Sequence, residues 1–489
     1  MSRYPTIRLP QAPRGRTCKD RTPGPGMWSP LLSIVVLLNL GNVSAHAQPL
    51  PTADGYRGIW YANQPSQDEF KFKYSGGFAT YPQQHMPIAI YCKDVDKTFF
   101  CYGGTVADKL ELLHMVAYYD HRTGRVPRPT ILLNKQTDDA HDNPTLQIDD
   151  KGHIWIFSNA HGTSRPSFIH RSKKPYAIDE FEPITTTNFS YSQPWYVAGK
   201  GFLFLHTRYS RGRDLFWMTS KDGVEWDQPQ PLARVALGHY QISWQDGDRI
   251  GTAFNYHPDP GGLNARTNLY YLETRDFGKT WVTVDGKPVT TPLTDVKNPA
   301  LVRDYESEER LVYLKDLQFD AEGCPILLYL TSKGYAAGPA NDPRIWYTAR
   351  WTGQDWQIRT FTTSDHNYDM GSLYIEADGT WRIFAPTEPG PQPYGAGGEI
   401  ALWRSTDQGQ SWKKDKVLTK NSPRNHTYVR RPVHAHPDFY ALWADGDTRQ
   451  PSESHLYFTN QTGDRVWKLP TRMSAGDALP EVVDYHPAP

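Results

Sequence analysis

Residues 405–412 read Ser405-Thr406-Asp407-Gln408-Gly409-Gln410-Ser411-Trp412, a full match to the turn S-x-D-x-G-x-x-W. The mechanics are local: the Asp carboxylate caps turn amides, Gly takes a left-handed dihedral, and Trp packs between neighbouring units. Thr274-Arg275-Asp276-Phe277-Gly278-Lys279-Thr280-Trp281 fits with Thr for Ser, and Thr219-Ser220-Lys221-Asp222-Gly223-Val224-Glu225-Trp226 is a degenerate third copy. One such turn is weak, but three at unit-sized, irregular spacing point to a repeated β-module.

Around these turns one plan recurs: a polar cluster, a strand, a turn with Asp or Gly, a second strand, and a second polar cluster. It runs from His85 to Gly103, His141 to His161, Tyr191 to Arg208, Tyr240 to His257, Lys315 to Lys333, Tyr368 to Thr387, and Arg430 to Asp445. With two outer strands per unit, seven repeats use the length well. The fold expected is all-β: a seven-bladed β-propeller with four-stranded antiparallel blades around a central channel, whose closure leaves short, protected sheet edges. Gly55-Tyr56-Arg57-Gly58-Ile59-Trp60 is expected to add an outer strand to the last blade. The competing architecture is a pair of two-sheet sandwiches. No segment has a helical period long enough for an α/β fold.

Composition agrees. Among 489 residues there are 16 Trp, 29 Tyr and 19 Phe, with 38 Gly and 40 Pro, which suits short strands and many turns. The 53 basic and 53 acidic residues cancel, and no basic stripe or acidic tail argues for nucleic acid or a membrane surface. Residues 1–26 are basic and proline-rich, Leu31–Leu40 form an apolar run too short to span a bilayer, and Ala45-His46-Ala47 is an A-x-A-like cleavage pattern. Residues 1–47 therefore read as a leader with a secretory signal peptide and Met27 as an alternative start; residues 48–489 read as one propeller domain. A secreted or periplasmic, monomeric protein is expected, with a membrane anchor as the alternative. Cys92, Cys101 and Cys324 follow the cleavage point. An odd count excludes a full disulfide framework, and Cys92 and Cys101 are expected as buried thiols rather than a pair.

A hairpin returns His141 and His161 to one end, and two imidazoles at one mouth can supply a base and an acid near neutral pH. The corresponding positions elsewhere give His85, Tyr191, Arg208, Tyr240, Tyr256, His257, Lys315, Lys333, His366, His426 and Arg430, with Arg266 beside them. Free carboxylates are scarce in this set, whereas a glycosidase normally needs two across the scissile bond. Nor can the arginine trio and Tyr/Glu pair of a sialidase be assembled. A cationic, histidine-rich mouth instead suits an acidic sugar. Arg208 or Arg266 can neutralise a uronate carboxylate, and a His or Tyr base can then remove the C5 proton with the O4 substituent leaving. In a glucuronate that proton and O4 lie on one side, so one group or a close His/Tyr pair can serve as base and then acid. No catalytic metal is expected. The oxygens of Asp138-Asp139-Ala140-His141-Asp142-Asn143 lack EF-hand spacing but are compatible with a structural Ca2+. His434 and His436 could chelate zinc, though alternating strand residues share a face by ordinary geometry.

The motifs Gly55-Tyr56-Arg57-Gly58-Ile59-Trp60-Tyr61, Tyr74-Ser75-Gly76-Gly77, Asp139-Ala140-His141-Asp142-Asn143-Pro144, Phe254-Asn255-Tyr256-His257-Pro258 and Arg266-Thr267-Asn268-Leu269-Tyr270-Tyr271 resemble the BNR-repeat polysaccharide lyases. Within that group the chain most resembles the L-rhamnose-α-1,4-D-glucuronate lyases of family forty-two, which act on arabinogalactan side chains such as those of gum arabic; ulvan lyase propellers are similar at greater distance. The resemblance implies a seven-bladed propeller that cuts rhamnosyl-glucuronate by elimination without a required cofactor. It implies that the catalytic histidine pair is His141 and His161, and the Tyr/Arg pair Tyr191 and Arg208. On the residues themselves, His161 or the nearby tyrosine is expected to take the C5 proton, with His141 and Arg208 holding the carboxylate. A lyase for another uronate glycan such as ulvan, a glycoside hydrolase on the same scaffold and a non-catalytic sugar-binding propeller are the other readings.

Overall fold

Seven antiparallel sheets follow one another along the chain, and their inner strands are buried on both faces. Ile154–Ser158 is an example, with every residue buried. Such strands read as continuous apolar runs rather than alternating ones, because each sheet is packed between two others. The computed structural model describes residues 49–78, 84–107 and 109–483; the expected leader and its cleavage site fall outside the described residues.

The innermost strands of blades one to seven are Ala89–Cys92, Pro144–Ile148, Ser190–Val197, Gln241–Asp246, Leu311–Phe319, Ser372–Ile375 and Asn425–Arg430. Each runs away from one face and pairs with a second strand that returns to it, as Pro144–Ile148 does with Ile154–Ser158. The start of every innermost strand and the end of every second strand therefore meet at one mouth. Most blades have four strands; the fourth carries extra short strands to make six, and the seventh has five. The chain is a seven-bladed propeller, and the sandwich alternative fails.

All three boxes sit in the turn after a third strand, on the face opposite the mouth. Ser411 N–H donates to Asp407 Oδ1 at 2.9 Å, Gly409 N–H donates to Ser405 Oγ at 2.9 Å, and Gly409 takes φ +77°. Their work is structural.

The N-terminal expectation is corrected. Gly55–Trp60 adds no strand to the last blade, whose outermost strand is Glu481–Val483. It threads the seam between blades seven and one: Tyr56 N–H donates to Pro470 O, Gly58 N–H to Ser454 O and Ile59 N–H to Gly103 O. The buried Tyr56 ring, packed on Phe100 and Tyr102, pins it there. Trp60–Pro65 then pairs with Phe72–Gly77 as a separate hairpin. Ring closure is completed by Ile90 bridging Val433 and by Asp477–Ala478 pairing Val126–Pro127. The three cysteines are free thiols; Cys101 is buried and Cys92 half-buried.

Candidate active site

Rings from several blades meet at the mouth. His85 stacks on Tyr191 at 5.4 Å, Tyr191 meets Tyr240 edge-on at 5.5 Å, and Tyr313 meets Tyr368 at 5.4 Å. Tyr191 reaches its place through a bulge between Ser190 and Gln193 and a left-handed φ of +52°. Such bulges re-aim a side chain at a strand end. The Trp60–Gly77 hairpin enters the same mouth and lays Tyr74 on Tyr368 at 4.3 Å.

Two stacked imidazoles share one carboxylate at the centre. A 3-10 turn, Ala140–Asp142, is capped by Asp139, which accepts His141 N–H at 3.1 Å. Asp139 Oδ1 lies 2.6 Å from His141 Nδ1, and Oδ2 lies 2.7 Å from His161 Nδ1. The rings are 4.1 Å apart and 17° from parallel. Burial alone would push Asp139 up, but the hydrogen bonds and charge of the two histidines outweigh it and hold the carboxyl well below the usual carboxylate range. Burial pushes His141 down, partly offset by Asp139, and its Nε2 meets the Tyr74 hydroxyl at 3.1 Å. His161 differs: its side chain is 28% exposed, and with Nδ1–H donated to Asp139 the Nε2 lone pair faces outward with no hydrogen-bond partner among the described residues. Arg165 clamps the base of the pair, donating to Asp139 at 3.2 Å and to Asp142 at 2.8 Å. A cation on Asp139, His141 and His161 would have to displace both imidazole–carboxylate bonds beside Arg165.

Cationic side chains sit among the tyrosines of the same mouth. Arg213 donates from Nε to the Tyr209 hydroxyl at 3.2 Å, and Tyr209 lies 3.3 Å from the Tyr191 hydroxyl. Arg266 is fully enclosed, within 4.6 Å of the Tyr240 ring and 4.7 Å of the Tyr313 ring, and donates to the Tyr368 hydroxyl at 3.2 Å. Neither arginine has a carboxylate partner among the described residues. Lys73, from the hairpin, is held by Asn264; burial, then repulsion from Arg266 and Arg213, pushes its amine down to about 6. His85 and His257 are buried with both ring nitrogens lacking a partner among the described residues, and burial pushes both well below the ordinary imidazole value. Tyr191 is held well above the usual phenol value by burial.

The mouth thus gathers His141, His161, Tyr191, His85, Tyr240, His257 and Arg266. Other expectations fall elsewhere. Arg208 lies on the opposite side of its strand, 5.8 Å from the Phe216 ring. Strand residues alternate faces, so it is Tyr209 that turns to the mouth, joined by Arg213 from the next strand. Tyr256 is set apart by the same alternation: His257 packs on Tyr240 at 4.7 Å while Tyr256 packs on Tyr270 at 6.3 Å. Lys333 is exposed. His426 is locked in blade seven, accepting from Trp443 Nε1 at 3.0 Å and paired with Ser422 Oγ at 2.9 Å. His366 anchors the hairpin: Nε2 donates to Lys73 O at 3.0 Å and Nδ1 accepts Tyr368 N–H at 3.1 Å. Lys315 donates to Asn367 O at 2.7 Å, just ahead of blade six, and Arg430 of blade seven donates to Lys315 O of blade five at 3.2 Å, so both serve as braces between blades. Burial pushes Lys315 down to about 7. Missed from sequence were the bridging role of Asp139 and the contributions of Tyr209, Arg213, Arg165, Tyr74 and Lys73. Period-two alternation from Arg208 would have found Tyr209.

Residues 113–364 match the family described as BNR repeat-containing family member, and the chain belongs to it. It is 26% identical over 431 residues to an ulvan lyase of Nonlabens ulvanivorans, covering 78% of this chain and 88% of that one. It is 23% identical over 425 residues to an ulvan lyase of Alteromonas sp. (strain LOR), covering 76% and 83%. A solved PL25 ulvan lyase superposes with a TM-score of 0.67 at 17% identity, over 84% of this chain and 96% of that one; a second structure of PL25 ulvan lyase, with the same values, is bound to -[GlcA(1-4)Rha3S]-. These likenesses bear out the propeller.

Proposed function

We propose that this mouth is the active site of a polysaccharide lyase that cuts the bond to O4 of a glucuronate by β-elimination, the bond being rhamnosyl-α-1,4-glucuronate as in arabinogalactan side chains. Similarity to ulvan lyases over most of the chain supports the reaction class, and glucuronate and rhamnose are the sugars in the unit bound to one solved ulvan lyase. The observation that carries the reading is the His161 imidazole, tied through Nδ1 to Asp139 at 2.7 Å with Nε2 without a hydrogen-bond partner among the described residues, in a mouth that also holds two arginines contacted by phenols rather than carboxylates.

Elimination needs three things. Arg213 and Arg266 supply positive charge for the uronate carboxylate, which makes the neighbouring C5 proton more acidic. His161 Nε2 takes that proton; the C5–H electrons form the C4–C5 double bond, and the C4–O4 bond breaks. Tyr191, which burial keeps protonated, gives a proton to the departing oxygen, directly or through Tyr209 at 3.3 Å. A base so placed contributes about 10²–10⁴-fold. The protein works as a secreted or periplasmic monomer.

The test is incubation of the purified protein with gum arabic and, separately, ulvan, following the absorbance of the unsaturated uronate. A rise with gum arabic supports the rhamnosyl-glucuronate reading, and a rise with ulvan alone moves the substrate. Released sugar without absorbance makes the protein a hydrolase, and binding without product makes it a lectin-like propeller.

A further inference from the structure

His121 and His436 lie 315 positions apart by their numbers, yet their rings are 3.8 Å apart. His121 follows the third strand of blade one, Leu113–Asp120, and His436 follows the innermost strand of blade seven. Both therefore sit on the face opposite the mouth, at the seam where the ring closes. That seam is narrow: Tyr91 N–H donates to Val433 O at 3.0 Å and Val433 N–H to Ala89 O at 2.9 Å. His434, which with His436 could have chelated zinc as alternating strand residues, is not part of this cluster; it takes a left-handed φ of +55°, which interrupts regular strand alternation.

We infer that His121, His436 and Asp438 bind one transition-metal dication, Zn2+ being the best fit, which staples the first blade to the last. One ligand atom from each lies within 4.8 Å of the other two. Two imidazoles and a carboxylate suit zinc better than calcium or magnesium, which take oxygen cages. His121 is oriented for it. Its Nε2 is paired with Thr98 Oγ1 at 2.8 Å, leaving Nδ1 shielded from solvent with no partner among the described residues. A hydrogen bond on one ring nitrogen that fixes the other toward the metal is the usual supporting arrangement for a histidine ligand. Tyr91 and Tyr119 hold the ring at 5.3 and 4.9 Å. On the partner side, Asp438 Oδ2 stands 3.8 Å from His436 Nδ1, which accepts Asp438 N–H at 3.1 Å. Taking up the ion exchanges that N–H contact for ligation and draws Nδ1 and the carboxylate onto one cation. The Asp438 carboxylate is exposed, so water completes the shell.

The test uses the full secreted chain, stripped with a chelator, loaded with Zn2+ alone, desalted and measured for bound metal; Co2+ loading reads the ligand field by its visible bands. One Zn2+ per chain is expected, with a rise in thermal midpoint. Substituting the half-buried His436 and the exposed Asp438 together, His436→Gln with Asp438→Asn, weakens binding about tenfold or more and leaves the lyase rate of the stripped enzyme unchanged. His161→Ala, at the other histidine cluster, keeps the full zinc content. A wild-type chain that retains no zinc overturns the site, as does a double variant that binds as tightly as wild type.

Discussion

Asp139→Asn isolates the central device of the proposed chemistry. Asp139 meets donors on both oxygens: His141 N–H and Nδ1 on Oδ1, His161 Nδ1 and Arg165 on Oδ2. An asparagine has one acceptor oxygen. The two donors around Oδ1, one of them the turn's own N–H, hold that oxygen there, so the amide NH2 faces His161. His161 Nδ1 must then accept, which moves its proton to Nε2 and removes the base. Loss of a charge-assisted hydrogen bond to the developing imidazolium alone is about 1.5–3 kcal/mol, or roughly 10–150-fold at about 1.4 kcal/mol per tenfold. With the wrong tautomer added, kcat falls by about 10²–10⁴-fold. KM changes less than about threefold, because the arginine wall is untouched, and the turn survives because Asn caps as well as Asp. The assay is initial rate of unsaturated-uronate absorbance against substrate concentration, with thermal unfolding as the fold control. A variant within about threefold of wild-type kcat, or a loss confined to KM, refutes the role given to Asp139 and His161.

The two arginines of blade three separate face from proximity: Arg213→Ala lowers kcat/KM by about 10²-fold or more, whereas Arg208→Ala stays within about threefold, both read by the same absorbance. Gly409→Ala meets a left-handed φ and places a methyl 2.7 Å from the Trp381 ring; denaturant titration should show a loss of about 1–3 kcal/mol with kcat unchanged. Lys73 gives a pH signature. Its folded amine titrates near 6 against about 10.4 unfolded, so the unfolded chain binds the extra proton between those values and wild-type stability rises with pH across that window. Lys73→Met removes the penalty; unfolding at fixed pH should show a gain of about a few kcal/mol near pH 6 that fades toward pH 10, and a gain constant with pH would contradict a neutral buried amine.

How much was legible depended on whether the signal was local. An Asp box closes on itself within eight residues, so Asp407, Gly409 and Trp412 announce their turn in any context. The His141–His161 hairpin is equally local: two five-residue strands and a tight turn must bring both ends together, and the rings do stack at 4.1 Å. Repeating that unit seven times left little freedom for the sheet order. Arg208 and Tyr209 show where this stops. They are adjacent, and which of the two faces the channel depends on the strand's rotation, a choice made by packing against Phe216 and the neighbouring blade.

By itself, then, the sequence determined the repeat, the closed all-β architecture and the meeting of the two stacked histidines, because each is set by contacts between residues close in the chain. Only the tertiary structure decided that Tyr74 and Lys73 enter the mouth on a hairpin, that Arg213 rather than Arg208 joins the wall, and that His121 finds His436 across the seam. Those meetings span up to some three hundred residues, and they are fixed by ring closure and by which face of each strand is buried, neither of which a local pattern records.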